Sequence, residues 1–277
     1  MIPLFIGGTG RSGTTVTLEY LGKHSKVYAS NPLELRVLTE TGGLLDLFET
    51  KNLELFKELF VKKWSFGTNQ TIGLSSSIAL QQLHIAVNSL DASAQSIQNF
   101  YTNIFRLQKG FKENAFYLGD STPSTVRYAH RIIEVFPKSR FLHLFRDGRD
   151  SAYSIYKMRD FFSVKNNKSE FDCLEWWYER VLQSFLSVGK LSSDAYLNVR
   201  FEDFILNPRE EYRSKVFGFL GLDQDQETKD YFLNQISPDK VSIGEWKSLK
   251  TWKEFDLRYS MILKDLEKQG IFIEKAY

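Results

Sequence analysis

The pattern of apolar and polar positions predicts a chain in which short strands alternate with helices. Apolar runs with the length and boundaries of buried strands occur at residues 4–6, 27–29, 115–118, 140–145 and 195–199. Segments with apolar residues at helical spacing separate these runs. Alternating strands and helices favour a parallel sheet with helices on both faces, so we predict an α/β fold of about five mostly parallel strands.

A glycine-rich turn connects the first strand to the first helix. It reads G-G-T-G-R-S-G-T-T over residues 7–15, and apolar residues at helical spacing begin at Val16. Such a turn binds phosphate, because glycines let several backbone amides point inward while the positive end of the helix dipole lies behind them. The predicted phosphate-binding residues are Gly10, Arg11, Ser12, Gly13, Thr14 and Thr15.

This turn departs from the Walker A pattern, G-x-x-x-x-G-K-[ST], at one position. The match runs from Gly8 to Gly13, and Thr14 then stands where the pattern has lysine. Because that lysine reaches the β- and γ-phosphates of a nucleoside triphosphate, its absence disfavours an NTPase. Arg11 and the neighbouring hydroxyls suit a single 5′-phosphate and the group attached to it. A generic glycine turn or a degenerate NTPase loop is the alternative that the turn alone leaves open.

Length and composition favour one globular domain over residues 1–277. Of the 277 residues, 42% are hydrophobic, and no linker, repeat or low-complexity tract divides the chain. The 36 basic and 34 acidic residues leave a net charge of +2, which argues against a surface dedicated to nucleic acid or to an anionic membrane. Any anion site must therefore be a local concentration of charge.

Cysteine and histidine usage points away from disulfides and metals. Cys173 is the single cysteine, and the four histidines are too far apart in sequence for a zinc motif, so no metal site is expected. The first strand begins at residue 2, which leaves no room for a signal peptide, and no stretch approaches the length of a membrane span. These features predict a cytoplasmic protein in a reducing compartment.

A second anion-binding signal follows the strand at 140–145. That strand leads directly into R-D-G-R-D-S over residues 146–151, and Ser154 lies eight residues after Arg146. A guanidinium group grips phosphate bidentately, and a hydroxyl near a helix start adds a further donor. The alternative is structural, with Arg146 and Asp147 forming an ion pair that caps the helix.

The two signals in this order resemble the sulfotransferases that use 3′-phosphoadenosine 5′-phosphosulfate (PAPS), and R-D-G-R-D-S is most similar to the tyrosylprotein and bacterial branches. The resemblance implies a three-layer fold similar to that of P-loop NTPases, PAPS as the donor and adenosine 3′,5′-bisphosphate (PAP) as the product, without a metal. It assigns the 5′-phosphosulfate to the glycine turn, where Arg11 would stabilise the leaving phosphate. It assigns the 3′-phosphate to Arg146 and Ser154.

Three further segments extend the resemblance. Glu34-Leu35-Arg36 is similar to the Glu-x-Arg of tyrosylprotein sulfotransferases, whose glutamate is the catalytic base; a surface ion pair between Glu34 and Arg36 is the alternative. Phe201 replaces the tyrosine that lies near the adenine and the 3′-phosphate, a change that keeps stacking but removes a hydroxyl. Lys240 matches a 3′-phosphate lysine of the cytosolic branch, within a segment that otherwise departs from that branch.

The chain departs from the family at the turn after the third strand. Cytosolic members have a histidine base just before the proline of this turn, and carbohydrate and tyrosylprotein members have a lysine, whereas this chain has Ser121 and Thr122. The departure favours Glu34 as the base. Since serine and threonine favour helix N-caps, we expect Ser121 and Thr122 to cap the following helix, with hydrogen bonds to the leaving phosphate as the alternative.

The resemblance implies an enzyme that moves a sulfonyl group from PAPS to a hydroxyl or amine of a small-molecule acceptor, such as a secondary metabolite. A mainly helical insertion at about 39–110 is expected to shape the acceptor site. Two alternatives from other classes remain open, a P-loop small-molecule kinase and a non-catalytic nucleotide-binding module. No nucleic-acid or membrane partner is expected, and the sequence does not set the oligomeric state.

Overall fold

A computed structural model describes residues 1–60, 62–63, 73–74, 76–158, 169–206 and 209–276. The described residues form one sheet in which every strand pairing is parallel. Its strands are β1 (Ile2–Gly8), β2 (Val27–Ala29), β3 (Tyr117–Asp120), β4 (Arg140–Phe145) and β5 (Tyr196–Arg200). They lie in the order β2-β3-β1-β4-β5 across the sheet. The predicted α/β fold with a parallel sheet of five strands is confirmed.

The central strand β1 is covered on both faces. Leu4 and Ile6 belong to an apolar cluster on one side of the sheet, and Phe5 belongs to the cluster on the other side. All three side chains are fully buried. Because successive side chains of a strand point to opposite faces, a continuous apolar run is typical of a parallel strand with helices on both sides. In the sheet, Leu4 pairs with Gly119 of β3 and with Arg140 of β4.

Helices cover both faces of this sheet. The described α-helices are α1 (Thr14–Leu21), α2 (Leu44–Thr50), α3 (Leu53–Phe60), α4 (Ser77–Asn88), α5 (Ala94–Arg106), α6 (Ala129–Val135), α7 (Gly148–Lys157), α8 (Glu170–Val188), α9 (Phe201–Ile205), α10 (Arg209–Leu220), α11 (Gln226–Gln235) and α12 (Trp252–Lys268). Short 3₁₀ helices occur at Pro123–Tyr128, Pro238–Lys240 and Glu245–Ser248.

The helices α2 to α5 lie in the stretch expected to be a helical insertion, of which residues 61, 64–72 and 75 are outside the described residues. They bury Phe56, Phe60 and Phe100 in the same cluster as Phe5 of β1. The rings of Phe60 and Phe100 meet edge to face with centroids 5.4 Å apart. The insertion is therefore anchored to the sheet by a shared aromatic core.

A third apolar cluster joins α7, α8 and α12. It contains Trp177, Trp246 and Tyr259. The guanidinium group of Arg149, the second residue of α7, lies 4.6 Å from the ring centroid of Trp246 and 5.0 Å from that of Tyr259. Since cations bind favourably over aromatic faces, this buried arginine holds the start of α7 against α12.

The strand order reverses at β1. The chain passes to β2 and β3 on one side of β1 and to β4 and β5 on the other. Ligands of open α/β sheets bind outside the carboxyl ends of the strands at such a reversal. Strand β3 ends two residues later than the sequence predicted, so that Asp120 is a strand residue, and the turn at Ser121 and Thr122 reaches this edge. The loop after β1 and Arg146 after β4 meet it there.

Candidate active site

A cavity of about 660 Å³ lies at the carboxyl edge of the sheet. Its walls come from the loop after β1, the segment after β2, the turn after β3, the helices α7 and α8, and residues 235–242. Ten of the residues that the sequence predicted for the site line it: Gly10, Arg11, Gly13, Thr14, Thr15, Glu34, Arg146, Ser154, Phe201 and Lys240. These residues, which are far apart in sequence, therefore share one space.

The loop after β1 presents backbone amides to this cavity. Gly13 has a φ of 87°, a left-handed conformation that favours glycine. Helix α1 begins at the next residue and has no side-chain N-cap, so side chains do not occupy its first amides. A Cβ atom on Gly13 would overlap the ring of Phe201. Phe201 thus packs directly against the turn of the loop.

Ser12 is the one predicted ligand that does not line the cavity. Its side chain is fully buried, and its hydroxyl donates to the carbonyl oxygen of Thr9 at 2.6 Å. The hydroxyl closes the loop on itself, and a phosphate contact by Ser12 would have to come from its backbone amide. The spacing in the sequence could not separate these two roles.

Arg11 joins the two anion-binding segments. Its Nε donates to the Ser154 hydroxyl at 3.0 Å, and its carbonyl oxygen accepts from Nη1 of Arg146 at 3.4 Å. The residue is exposed and has a φ of 69°, which is uncommon outside glycine. The loop after β1 and the start of α7 are therefore in direct contact.

Arg146 is held from several directions and is only 7% exposed. Its Nη2 lies 3.8 Å from Oδ2 of Asp150 and donates to the carbonyl oxygen of Ser242, and its guanidinium carbon lies 5.5 Å from the Phe201 ring centroid. The alternative ion pair between Arg146 and Asp147 does not form. Asp147 instead pairs with Arg149 at 2.6 Å.

Asp147 organises the start of α7. Its carboxylate caps the helix by accepting from the amide of Arg149 at 2.9 Å. Its own amide donates to Oε1 of Glu202 at 2.7 Å. Burial raises the pKa of Glu202 from its ordinary 4.5 to about 7, and the nearby charge of Asp147 acts in the same direction. Sequence analysis did not identify Glu202, because a Glu-Asp pair after a strand carries no sign of burial.

Glu34 lies in the cavity wall with 27% of its side chain exposed. Arg36 donates to its Oε2 from both Nη2, at 2.7 Å, and Nε, at 3.1 Å. Burial disfavours the charged form of Arg36, but the hydrogen bond and charge of Glu34 outweigh it and raise the pKa of Arg36. Glu34 therefore lines the cavity, as the predicted base would, and it also forms the ion pair with Arg36 that was the alternative.

Asp120 holds the segment that carries Glu34. This fully buried carboxylate accepts through Oδ1 from the amide of Leu35 at 3.2 Å and from the hydroxyl of Thr122 at 2.7 Å. Its Oδ2 accepts from the Tyr101 hydroxyl at 2.8 Å. Burial raises the pKa of Asp120, although these hydrogen bonds oppose the shift. In the sequence, Asp120 follows the predicted strand at 115–118, and nothing there indicates its buried hydrogen bonds.

Ser121 and Thr122 do not cap the helix that follows, so this prediction was wrong. The Ser121 hydroxyl donates to the carbonyl of Leu33 at 2.9 Å. The Thr122 hydroxyl accepts from the amide of Arg36 at 3.0 Å, and Thr122 makes no side-chain cap. Both hydroxyls fix the Leu33–Arg36 segment, because its amides and carbonyls need buried partners.

Lys240 reaches the cavity from the far end of the chain. It is exposed, and its ammonium group donates to the carbonyl of Asn234 at 2.6 Å and to Oε1 of Gln235 at 3.1 Å. The side chain is thus positioned by the end of α11, which also lines the cavity through Gln235.

Sequence analysis assigned no role in the site to several other lining residues, among them Arg127, Trp176 and Arg180. Arg127 belongs to the 3₁₀ helix after β3, and the other two lie one turn apart on α8. Nothing in the local sequence around these three residues places them in the site. Only the packing of α8 against the 3₁₀ helix brings them to one wall.

The structure is thus a parallel α/β protein with a glycine-rich loop and an arginine together at the carboxyl edge of its sheet, and the comparison with known proteins identifies its family. Residues 3–226 match the profile of the sulfotransferase family. The chain belongs to this family.

Curated relatives and solved structures fall in the same family. The chain is 24% identical to protein-tyrosine sulfotransferase 2 of Gallus gallus over 79% of its own length and 51% of the relative's. It is 25% identical to protein-tyrosine sulfotransferase of Drosophila melanogaster over 79% of its length and 38% of the relative's. It therefore spans about half the length of the curated relatives it matches, or less.

The structural comparison concerns the fold alone. The sulfotransferase domain from the curacin biosynthetic pathway matches with a TM-score of 0.58 at 17% identity, covering 99% of this chain and 98% of that domain. The sulfotransferase domain of the Synechococcus PCC 7002 olefin synthase matches with a TM-score of 0.56 at 16% identity, covering 99% and 95%. Sulfotransferases have a fold similar to that of P-loop NTPases, as predicted. Among the described helices, none has the length and hydropathy to cross a membrane.

Proposed function

We propose that the protein transfers a sulfonyl group from PAPS to a hydroxyl or amine of a small-molecule acceptor. The observation that carries this proposal is the hydrogen bond between Arg11 and Ser154, which both line one cavity with Arg146. A donor with phosphates at both ends of one adenosine requires two anion-binding segments in one cavity. When bound, PAPS supplies the sulfonyl group and the leaving phosphate. Membership of the sulfotransferase family supports the same donor.

The cavity residues fit such a donor. The volume of about 660 Å³ falls within the range of small-molecule sites, about 300–1,000 Å³. The first amides of α1, with the loop residues before them, would hold the 5′-phosphate. Arg146 is nearly buried, so its charge acts in a poorly solvated setting where a phosphate contact is strong. With Ser154 it would hold the 3′-phosphate, and Phe201 and Lys240 would complete that end.

Glu34 would remove the proton of the acceptor hydroxyl or amine. Arg36 binds only Oε2 of this carboxylate, and the described residues give Oε1 no hydrogen-bond partner. The ion pair therefore orients the carboxylate while one oxygen faces the acceptor. General base catalysis of this kind contributes about 10²–10⁴-fold.

Arg11 and the loop amides would stabilise the charge that gathers on the leaving phosphate. The loop amides are fixed before the reaction and stabilise such charge without reorganisation, whereas Arg11 would move to the phosphate when the donor binds. Arg11 is exposed and bound to Ser154 by a single hydrogen bond, so it can turn toward a bound phosphate at small cost. In this proposal cationic side chains supply the positive charge, without a metal.

The acceptor has two candidate classes. A small molecule is the proposal, because the acceptor wall and the donor wall line one cavity of about 660 Å³, the size of a small-molecule site. The second candidate is the tyrosine hydroxyl of a peptide, favoured by relatives described as protein-tyrosine sulfotransferases. We also propose that residues 1–277 act as one sulfotransferase domain in the cytoplasm. Of the described part of the insertion at 39–110, Glu40 lines the cavity.

The experiment that tests this function measures PAP formation by the purified protein from PAPS. The acceptors are a panel of phenols, alcohols, amines and a tyrosine peptide, and a parallel assay supplies ATP with Mg²⁺. We expect PAP formation that depends on one acceptor class, and no ATP consumption. Mg²⁺-dependent ATP consumption would favour the kinase alternative. Tight PAP binding without transfer to any acceptor would favour a non-catalytic module.

The variant Glu34→Gln tests the base. We expect kcat to fall by about 10²–10⁴-fold, with PAP affinity unchanged. Glu40→Gln is the matched control, because Glu40 lines the same wall and lies 3.8 Å from Arg36 without hydrogen-bonding to it in the manner of Glu34. If both variants kept kcat within a few-fold of the parent at saturating donor, the assignment of Glu34 would be wrong.

A further inference from the structure

Two arginines of the cavity wall have no part in the proposed donor site. Arg127 lies on the 3₁₀ helix Pro123–Tyr128 after β3, and Arg180 lies on α8. Both are partly buried, and both line the cavity. Buried cations in proteins are normally paired with an anion, because desolvation of a lone charge is unfavourable.

Arg127 lacks such an anion. Among the described residues, Arg127 makes no ion pair and no side-chain hydrogen bond. Its guanidinium carbon lies 5.7 Å from the ring centroid of Tyr128. Burial lowers the pKa of Arg127, and no acidic residue opposes the shift. The guanidinium is therefore a partly desolvated cation that faces the cavity without a protein partner.

Arg180 lines the same cavity, near enough for the charge of Arg127 to act on it. Its guanidinium carbon lies 4.1 Å from the ring centroid of Trp176, and its Nη1 lies 3.3 Å from Glu179, a carboxylate that is 64% exposed. Burial lowers the pKa of Arg180, and the positive charge of Arg127 lowers it further. Two like charges held together in a cavity wall create a local positive potential that an anion would relieve.

This pair lies next to the reacting groups. The ring of Trp176 is 3.5 Å from the position of a Cβ on Gly10, so the stack of Trp176 and Arg180 borders the phosphate loop. Ser124, on the same 3₁₀ helix as Arg127, bonds to the hydroxyl of Thr39 at 2.6 Å.

The same 3₁₀ helix is also tied to the segment that carries Glu34. Thr122, which precedes it, accepts from the amide of Arg36 at 3.0 Å. Arg127 follows β3, on the opposite side of β1 from β4, which delivers Arg146. Arg127 thus belongs to the wall that holds Glu34, rather than to the wall that holds Arg146.

We propose that Arg127 and Arg180 bind an oxyanion on the acceptor, so that the enzyme takes hydroxyl acceptors that already carry a carboxylate, phosphate or sulfate. This inference rests on the proposed function, since it names the substrate class of the same site. A guanidinium group donates in its plane and can bind an oxyanion bidentately while its face stacks on an aromatic ring. The pair would hold the anionic end of the acceptor and direct its hydroxyl toward Glu34.

The test measures binding without turnover, in protein saturated with PAP. The probes are 4-hydroxyphenylacetate, its phosphate counterpart 4-hydroxyphenyl phosphate, and the neutral 4-hydroxyphenylacetamide, titrated by calorimetry. We expect the parent protein to bind the better anion at least about tenfold more tightly than the amide, as a charge-assisted hydrogen bond predicts. In Arg127→Gln and in Arg180→Gln this ratio should fall toward one, while PAP and PAPS affinities stay unchanged.

The matched control is Arg131→Gln. Arg131 lies on α6, one turn after Arg127, and pairs with Glu49 and with Asp46 outside the cavity. Its removal should leave the ratio at the parent value. The comparison of the two anions distinguishes a carboxylate from a phosphate acceptor.

Four results would overturn the inference while leaving the proposed function in place. The parent could bind the anions no more tightly than the amide, or could bind none of the three probes. Both variants could keep the parent's ratio. Both could lose affinity for PAPS with the ratio unchanged, which would assign the arginines to the donor. Failure of PAP to bind the parent protein is a separate outcome and would overturn the proposed function itself.

Discussion

Arg11 and Ser154 are joined by a hydrogen bond of 3.0 Å, although 143 residues separate them in the chain. Each belongs to a short motif that is common by itself, a glycine turn in one case and an arginine with a following serine in the other. Their contact brings the two motifs into one surface, which we propose binds the anionic ends of the donor. The properties of this surface can be tested one residue at a time.

Ser154→Ala should weaken the preference for a 3′-phosphorylated nucleotide. Loss of a hydrogen bond to a charged group costs about 1.5–3 kcal/mol, so we expect PAP to bind about tenfold less tightly or worse, with adenosine 5′-monophosphate unaffected. The measurement is the ratio of the two dissociation constants by calorimetry. Ser151→Ala is the control: Ser151 lies one turn earlier on α7, and its buried hydroxyl has no hydrogen-bond partner among the described residues. An equal ratio in the parent and Ser154→Ala would contradict the assignment.

Gly13→Ala should destabilise the phosphate loop. The left-handed φ of 87° costs an alanine roughly 1–2 kcal/mol, and its Cβ would also overlap the Phe201 ring. Thermal unfolding and PAP binding should both worsen. At Gly10 the nearest atom to a new Cβ is in Trp176, at an ordinary 3.5 Å, so Gly10→Ala should unfold at nearly the parent temperature. Equal unfolding temperatures for the two variants would contradict the close packing of the Phe201 ring against Gly13.

Asp120→Ala should impair transfer although Asp120 does not line the cavity. The substitution leaves the Leu35 amide and the Tyr101 hydroxyl without their buried acceptor. Each buried group left unpaired costs about 1–3 kcal/mol, and the segment that carries Glu34 loses its anchor. Denaturant unfolding should report the loss of stability, and kcat should fall further than PAP affinity.

The control for that substitution is Asp120→Asn. An asparagine keeps the carbonyl oxygen that accepts from Leu35 and Thr122, and its amide can donate to the Tyr101 hydroxyl. It should therefore retain most of the stability and activity. If the alanine and asparagine variants were equally active, Asp120 would not be a positioning residue.

Glu202→Gln should change the pH dependence of stability. The folded-state pKa of Glu202 is raised to about 7, so the protein binds a proton there that the unfolded chain releases near its ordinary 4.5. This contribution is present in full below about 4.5 and is lost as the pH rises through about 7, by up to roughly 3 kcal/mol. Glutamine does not titrate, and it keeps the oxygen that accepts from the amide of Asp147. Its stability relative to the parent should rise between those two pH values.

The comparison with the parent at each pH removes other titrations. Burial lowers the pKa of His143 to about 4, so that residue destabilises the fold as the pH falls below its ordinary 6.5, with the opposite sign to Glu202. Since both proteins contain His143, its effect cancels in the difference. A stability difference that stayed constant from pH 4.5 to pH 8 would show that Glu202 is ionised throughout.

The sequence predicted those features that depend on local order along the chain. The five strands, the glycine loop and the placement of Arg146 and Ser154 on one cavity all follow from short-range patterns in apolar residues or motif spacing. The parallel arrangement followed from the alternation of strands and helices. Strand ends were predicted less well: β3 ends two residues beyond the apolar run at 115–118, so that Asp120 is a strand residue.

Features that depend on long-range packing could not be predicted. Asp120 becomes important only because Leu35 and Tyr101 reach it from two other segments. Arg127 and Arg180 share a wall because α8 packs against the 3₁₀ helix after β3, and nothing in their local sequence indicates this. Ser12 shows the converse. The motif predicted that it would bind phosphate, but its hydroxyl points into the loop and bonds to the backbone there.

Because the strand order reverses at β1, the two walls of the cavity come from different pairs of strands. Arg146 and Phe201, on one wall, follow β4 and β5 in the chain. Glu34 and Arg127, on the other wall, follow β2 and β3. The loop after β1 lies between these two walls. If the proposed function holds, the connections of β2 and β3 supply most of the acceptor wall, and Arg180 of α8 is a contribution to it from between β4 and β5.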